Sequence, residues 1–516
     1  MDGRWWSNTS MGWPRPGVAL VAGLFWAGAM TGCGSDVQVR GAALVPLPAE
    51  VVTGEGAFTL GTATAISVPA EAAGVAGHLA FAVEEATGRR PERRSGGEIR
   101  LALGAGTGAE GYELTVDDDG IVIRAQTEAG LFYGVQTLRQ LLPQRADGEA
   151  VRVPAVRIAD RPRFPWRGAM LDVARHFLPV AEVKRYIDLM AAYKLNVLHL
   201  HLTDDQGWRL AIEGWPALTE IGAASQVGGG RGGFYTADDY RDLVAYARAR
   251  FVDVVPEIDL PGHTNAALAS YAELNCDGRR RDPYTGIEVG FSALCVGSPQ
   301  TDRFVSEVIA EVARLTPGRY IHVGGDEVRE LSEPEYTRFM ERAQEIVGGT
   351  GKRMAVWQEA GRARLLPGTI VQYWKADEDP GVVADAVRQG AKVVMSPASR
   401  VYLDMKYDSW THVGQDWAGM VEVADSYEWD PATLIEGVGA AAVLGVEAPL
   451  WTETVGGFDD LTYLAFPRLP AVAEVAWTPQ ERRSFDVFAP RLAAQAGQWK
   501  RWGLNYHESP QIPWKR

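Results

Sequence analysis

The chain has 516 residues, 46% hydrophobic and 23% charged, the balance of a soluble globular protein too long for one ordinary domain. Its formal net charge of −15 leaves no basic stripe to neutralise phosphates, which excludes nucleic acid as a partner and argues against electrostatic attachment to an anionic membrane. The 17 tryptophans admit two readings, core packing or the flat indole faces that sugars bind, and the count alone does not separate them.

The first element reads as a leader, residues 1–33, rather than as part of the fold. Arg4 and Arg15 precede the apolar run "GVALVAGLFWAGAMTG", residues 17–32. That run is shorter than the ~20 residues a membrane-spanning helix needs. It ends in "MTGCGSD", where small residues before Cys33 resemble a lipoprotein cleavage site with Cys33 as the lipidated first residue. A plain secretory signal is the alternative, and the apolar run follows Met11 more closely than Met1. Either way we expect an exported protein, secreted or lipid-anchored at the cell surface through Cys33.

Residues 34–163 are expected to form a small α+β domain. "YELTVDDDGIVIRA" (residues 112–125) alternates apolar and polar residues around a "DDDG" turn, the pattern of a hairpin. "TEAGLFYGVQTLRQLL" (residues 127–142) has helical spacing, with Thr127 placed to cap it. The prolines and arginines of "IADRPRFPWRG" mark the boundary.

Residues 164–516 then alternate strand and helix. Apolar strand candidates lie at residues 167–173, 196–202, 253–259, 319–325, 353–359, 369–375, 392–397 and 443–449. Between them, "AEVKRYIDLMAAYK" places Val183, Ile187 and Met190 on one face. "TADDYRDLVAYARAR" opens on a capping-box pair, Thr236 and Asp239. Eight such units predict an α/β fold, a (β/α)8 TIM barrel, with reactive residues at the C-terminal ends of the strands.

Those ends are loaded with polar and aromatic residues: Asp172, Arg175, Asp204, Asp205, Glu257, Asp259, His263, Asp326, Glu327, Trp357, Glu359, Trp374, Tyr402, Asp404, Trp451 and Glu453. One acid after a strand is usually a cap or an ion-pair partner. Acids, aromatics and an arginine at nearly every end describe a pocket with aromatic walls and hydroxyl-binding carboxylates. His199 and His201 share a strand face, as zinc hydrolases arrange ligands, but no third histidine is placed to complete a metal shell. The last two cysteines, Cys276 and Cys295, fit a disulfide that stiffens a long loop in an exported protein.

"IHVGGDE" ends in adjacent carboxylates, Asp326 and Glu327. On an extended strand neighbouring side chains point to opposite faces, so the two acids are unequal, with Gly324 and Gly325 relaxing the backbone before them. Most glycosidases instead grip the bond between two carboxyls at least ~5 Å apart.

The motifs "RGAMLDVARHF", "NVLHLHLTDDQGWR", "VVPEIDLPGHTNAA", "HVGGDE", "VWQEA", "YLDMKY" and "LWTET" run in order between residues 167 and 454. Together they resemble the β-N-acetylhexosaminidases of glycoside hydrolase family 20, of the actinobacterial secreted type, a family exempt from the two-carboxylate rule. The resemblance implies that the nucleophile is the substrate's own 2-acetamido oxygen, which forms an oxazolinium intermediate. It implies that Glu327 is the general acid and base, with a pKa raised towards neutrality by its neighbour. Asp326 would orient the acetamide and Tyr402 would donate to its oxygen. Arg175, Glu453 and Asp404 would hold sugar hydroxyls. Trp357, Trp374 and Trp451, with Trp417, would cage the ring and acetamide, and Asp204 with His263 would tune Glu327. It implies no metal and no cofactor. The expected substrates are oligosaccharides or glycoconjugates ending in β-linked GlcNAc or GalNAc, such as chitin fragments and cell-wall or glycoprotein glycans. A disaccharide-releasing lacto-N-biosidase-like enzyme, a metal-dependent hydrolase and a non-catalytic sugar-binding lipoprotein are the competing readings.

Overall fold

The computed structural model describes residues 43–142, 151–375 and 381–515. The expected leader, with Cys33, lies outside the described residues. A seven-stranded sheet comes first, built from β1 (Glu50–Leu60), β2 (Ala65–Ser67), β3 (Glu92–Arg93), β4 (Ile99–Leu103), β5 (Tyr112–Asp117), β6 (Gly120–Ala125) and β7 (Val151–Asp160). Its order is β1-β7-β5-β6-β4-β2-β3. The predicted hairpin is β5–β6, and the Asp117 carboxylate closes its turn by accepting from the backbone N–H groups of Asp119 and Gly120 at 3.0 and 3.1 Å.

Two helices join this sheet, α1 (Ala73–Thr87) and α2 (Glu128–Leu141). Thr127 caps α2 as expected, its Oγ1 accepting from the Gly130 N–H at 3.2 Å. Residues 130–138 of α2 are buried without a break, because one face lies on β5 and β6 and the other meets the barrel: Tyr133 packs on Trp477 and Phe132 on Phe251. Asp160, at the end of β7, fixes the junction. Its carboxylate takes Lys194 Nζ at 3.0 Å, Tyr112 OH at 2.6 Å and Trp477 Nε1 at 3.0 Å.

The rest of the strands close a parallel barrel from β8 (Trp166–Asp172), β9 (Val197–His201), β12 (Asp253–Glu257), β13 (Tyr320–His322), β14 (Arg353–Trp357), β15 (Ile370–Tyr373), β16 (Lys392–Met395) and β17 (Val443–Ala448). Seven fall within the segments predicted from sequence, and β8 starts one residue before its segment, at Trp166. A short hairpin, β10 (Thr203–Asp204) and β11 (Gly207–Trp208), sits just past β9 and was not foreseen. The first barrel helix, α3 (Val180–Ala192), buries Val183, Ile187 and Met190 against the core as its periodicity requires. The capping box of Thr236 and Asp239 is formed at the helix over Ala237–Arg248.

Cys276 and Cys295 are joined in a disulfide. It closes the loop between the helical segment Asn265–Ser270 and the helix Pro299–Leu315. A loop of this length is worth roughly 3 kcal/mol of chain entropy. Cys276→Ser is therefore expected to lower the melting temperature by several degrees in scanning calorimetry, and added reductant should do the same to the unsubstituted protein but nothing further to the variant.

Candidate active site

At the C-terminal mouth of the barrel a cavity of about 320 Å3 is lined by Arg175, Asp326, Glu327, Trp357, Trp374, Tyr402, Asp404, Trp417, Trp451 and Glu453. All but Trp417, which only the family resemblance suggested, are residues the strand-end reading brought forward, and the fold gathers them from six barrel strands. Ile287, Glu288, Val289, Lys375 and Gln415 line it too and were missed. The first three lie on the disulfide-closed loop, whose bridge was the one signal that this loop is held in place. A larger cavity, about 620 Å3, lies between the small domain and the barrel. Three of its four arginines pair with carboxylates, Arg90 with Glu84, Arg139 with Glu85 and Arg250 with Asp188, and the fourth, Arg185, lies over the Phe458 ring.

The acid pair is shaped by its backbone. The strand expected over residues 319–325 ends at His322, so strand alternation does not orient Asp326 and Glu327. Left-handed φ values do: +65° at Gly324, +95° at Gly325 and +51° at Glu327. At Gly324 a Cβ would stand 1.7 Å from Asp259 Oδ1, so only glycine fits. Glu327 and His263, φ +51° each, are two of four non-glycine residues with positive φ among those described. Such a conformation costs about 1–3 kcal/mol and persists where surrounding packing enforces it. The turn puts both acids on one cavity and against one ring: His263 Nε2 is 3.5 Å from Asp326 Oδ2 and 3.6 Å from Glu327 Oε2.

The charges then sort themselves. Burial pushes the His263 imidazole down, but the carboxylates of Asp204, Asp326 and Asp259 overcome it and hold the ring well above its ordinary range, a cation. Burial pushes Asp326 up to about 6, against the pull of His263 and with help from the charges of Glu257 and Glu327. Glu327 moves the other way. Burial raises it, but His263, Arg175 and Arg329 together outweigh burial and hold it below the usual carboxylate range. The expectation that Glu327 is the raised member of the pair is thus corrected for the free protein: it is less buried than Asp326, and a cation faces it.

Opposite the pair lies a buried polar end. Arg175 Nη1 sits 2.8 Å from Asp204 Oδ2, and its guanidinium lies 4.7 Å above the Trp451 ring. Asp404 Oδ2 and Glu453 Oε2 are buried without a hydrogen-bond partner, as is Asp326 Oδ1. Burial pushes Asp404 and Glu453 up. Orphaned buried acceptors cost ~1–3 kcal/mol each and suit a ligand that brings hydroxyl or amide donors. The walls are aromatic: Trp374 stacks on Tyr402 at 6.3 Å and 11°, and Trp357 and Trp451 tilt together at 5.9 Å. Trp417, half exposed, stands edge-on to Tyr402 at the rim.

The remaining strand-end residues do not line the cavity. Asp172 accepts from the N–H groups of Ala174, Arg175 and Thr452 and so clips the loop that carries Arg175. Asp205 accepts from Ser292 Oγ and the Asn265 N–H, which pins the end of the disulfide-closed loop. Glu359 takes Trp374 Nε1 at 3.0 Å. Asp259 takes the Gly325 N–H at 3.3 Å, just beneath the acid pair. Asp204 and His263 meet as expected, His263 Nδ1 lying 3.2 Å from Asp204 Oδ1.

His199 and His201 are not open ligands. His199 stands 2.7 Å from Glu447 and 3.0 Å from Glu257; His201 stands 2.5 Å from Glu257 and 2.8 Å from Asp204. Despite burial, Glu447 and Glu257 raise His199 to about 9, and Glu257 and Asp204 raise His201 well above its usual value. A third histidine does join them, against the sequence expectation: His322 Nδ1 lies 2.9 Å from Glu257 Oε1 beside His199.

The family model described as "Glycosyl hydrolase family 20, catalytic domain" matches residues 164–480, and "Glycosyl hydrolase family 20, domain 2" matches residues 42–161. A beta-N-acetylhexosaminidase of Cellulomonas fimi is 45% identical, covering 92% of this chain and 97% of that protein. The structure of the GH20 beta-N-acetylhexosaminidase from Streptomyces coelicolor A3(2) superposes with a TM-score of 0.90 at 50% identity, over 92% of this chain and 99% of that one. A mutant Streptomyces plicatus beta-hexosaminidase in complex with its product GlcNAc gives a TM-score of 0.90 at 49% identity, over 92% and 98%.

Proposed function

The chain belongs to glycosyl hydrolase family 20 and is a β-N-acetylhexosaminidase, and on that premise we propose that it removes single terminal non-reducing GlcNAc residues, and GalNAc residues, with retention of the β configuration. The observation that carries the exo reading is the buried end of the cavity, where Arg175, Asp404 and Glu453 offer one cation and two orphaned acceptors. A terminal sugar satisfies them with its hydroxyls; a sugar in mid-chain would need that end open.

In this reading the acetamide lies between the aromatic walls with its carbonyl oxygen beneath C1. Tyr402 OH donates to that oxygen and Asp326 accepts the acetamide N–H. The oxygen attacks C1 as the C1–O bond to the leaving sugar breaks, and Glu327 gives its proton to the departing oxygen. Holding the nucleophile on the substrate replaces an encounter by an intramolecular step. The ionised Asp326 stabilises positive charge on the cyclised acetamide. Water then adds to C1 from the side the leaving sugar vacated, and Glu327 takes its proton.

The pair therefore works with one proton between its two members. In the free protein that proton sits on Asp326; the acetamide N–H favours ionised Asp326 and so moves the proton to Glu327. In the free protein Asp326 gives up its proton at about pH 6. Because the protonated form is the competent one, kcat/KM should be lost as pH rises through that value, and a profile flat to about pH 8 would contradict it.

The test of the whole reading is the first product. Early time points on a chitooligosaccharide should contain GlcNAc and the chain shortened by one, with the β anomer first by proton NMR. Early disaccharide would establish the lacto-N-biosidase-like alternative. We further propose an exported address, on the disulfide and the apolar leader.

A further inference from the structure

The barrel interior beneath the pocket holds titratable groups the reaction never touches. His199, His201, Glu257, His322 and Glu447 are all buried. Barrel layers are ordinarily filled by branched apolar residues, and an apolar layer of equal volume is commonly as stable as a buried charge network or more so. Filling space does not account for them.

Glu257 is their centre. Oε2 meets His201 Nδ1 at 2.5 Å and His199 Nε2 at 3.0 Å; Oε1 meets His322 Nδ1 and accepts from Trp357 Nε1, each at 2.9 Å. Two of these contacts lead to the pocket. His201 passes its other nitrogen to Asp204 Oδ2 at 2.8 Å, and Asp204 Oδ1 faces His263 at 3.2 Å, the ring set against the acid pair. Trp357 is itself a cavity wall.

We propose that Glu257 is a positioning residue that sets both halves of the site at once: through His201 and Asp204 it orients His263 against Asp326 and Glu327, and through Trp357 it holds the wall beside the acetamide. It touches no substrate. One carboxylate fixes two first-contact groups whose relative placement decides whether C1, the acetamide oxygen and the acid proton line up. Its charge is held by the buried rings around it, since His201 and His199 stay cationic and, among the described residues, no arginine or lysine contacts its oxygens. Asp326 is faced by His263, Asp259, Glu257 and Glu327, so the charge of Glu257 also helps keep the proton on the pair. The inference rests on the reading above only for the acetamide's place.

The test compares Glu257→Gln with Glu447→Gln in the full chain. Gln at 257 can still accept from Trp357 but carries no charge. Its kcat on a GlcNAc glycoside should fall on the order of 10–100-fold, with KM changed much less and the alkaline limb of kcat/KM displaced to lower pH. Glu447 lies one histidine further down and contacts His199, Trp166 and Gln372 but neither His201 nor Trp357. Glu447→Gln should lose melting temperature while keeping kcat and the limb. A Glu257→Gln enzyme with unchanged kcat and limb overturns the proposal, as does a Glu447→Gln enzyme with the same loss. Should Glu257→Gln fail to fold, 15N-histidine NMR of the unsubstituted protein decides: His201 should stay doubly protonated well above the ordinary imidazole range, and a neutral ring there overturns the proposal. Each comparison is read on whichever glycoside the unsubstituted enzyme cleaves, so a wrong product assignment shows in the oligosaccharide assay and not here.

Discussion

Glu327→Gln is expected to lower kcat/KM for a GlcNAc-linked sugar by about 10²–10⁴-fold, and for a dinitrophenyl glycoside by far less. The difference follows from what the residue gives. A sugar alkoxide is a poor leaving group and needs the Glu327 proton as the C1–O bond breaks. Dinitrophenolate leaves without one. kcat/KM is the right quantity because it reports the steps up to departure and is blind to the later addition of water, where the missing base would slow both substrates. The amide keeps the size of the acid and leaves His263 in place, so folding should be little affected. Equal losses on the two substrates would show that Glu327 does not protonate the leaving oxygen.

Asp326→Asn should behave in the opposite sense: roughly 10²–10³-fold lower kcat/KM on both leaving groups. Its carboxylate acts on the nucleophile, and the nucleophile attacks whatever departs. Two further readouts separate it from simple damage. The alkaline limb near pH 6 belongs to Asp326 in the free protein, so it should move to lower pH once only the depressed Glu327 remains to titrate. A β-glucoside, lacking the acetamide, should be a very poor substrate of the unsubstituted enzyme and should be slowed little more by Asp326→Asn. Brisk glucoside turnover would remove the substrate-assisted mechanism altogether.

The barrel was legible because its strands are buried on both faces and read as short apolar runs bounded by turns. The helix starts at Thr127 and Thr236 were legible because capping is a local bond between near neighbours. Site residues such as Arg175, Asp404 and Trp451 could be listed from one rule, that chemistry sits where barrel strands end. What escaped was set through space. Ile287 to Val289 reach the cavity only because a distant loop folds back over it. The direction of the Glu327 shift depends on the charge of His263, which depends in turn on carboxylates at three different strand ends, Asp204, Asp259 and Asp326. Strand alternation predicted an unequal pair for the wrong reason: the backbone there is a left-handed turn, and the inequality comes from burial and from His263.

That turn places residue 327 under opposed selection. A glutamate at φ +51° is a conformational liability the protein keeps only for the carboxyl it presents. Asparagine or glycine would sit there with less strain, so substitutions that disable the enzyme can leave a sturdier fold than the one that works. A screen for thermal resilience alone would drift towards loss of activity at this position, and the residue is better held fixed in any effort to harden the protein.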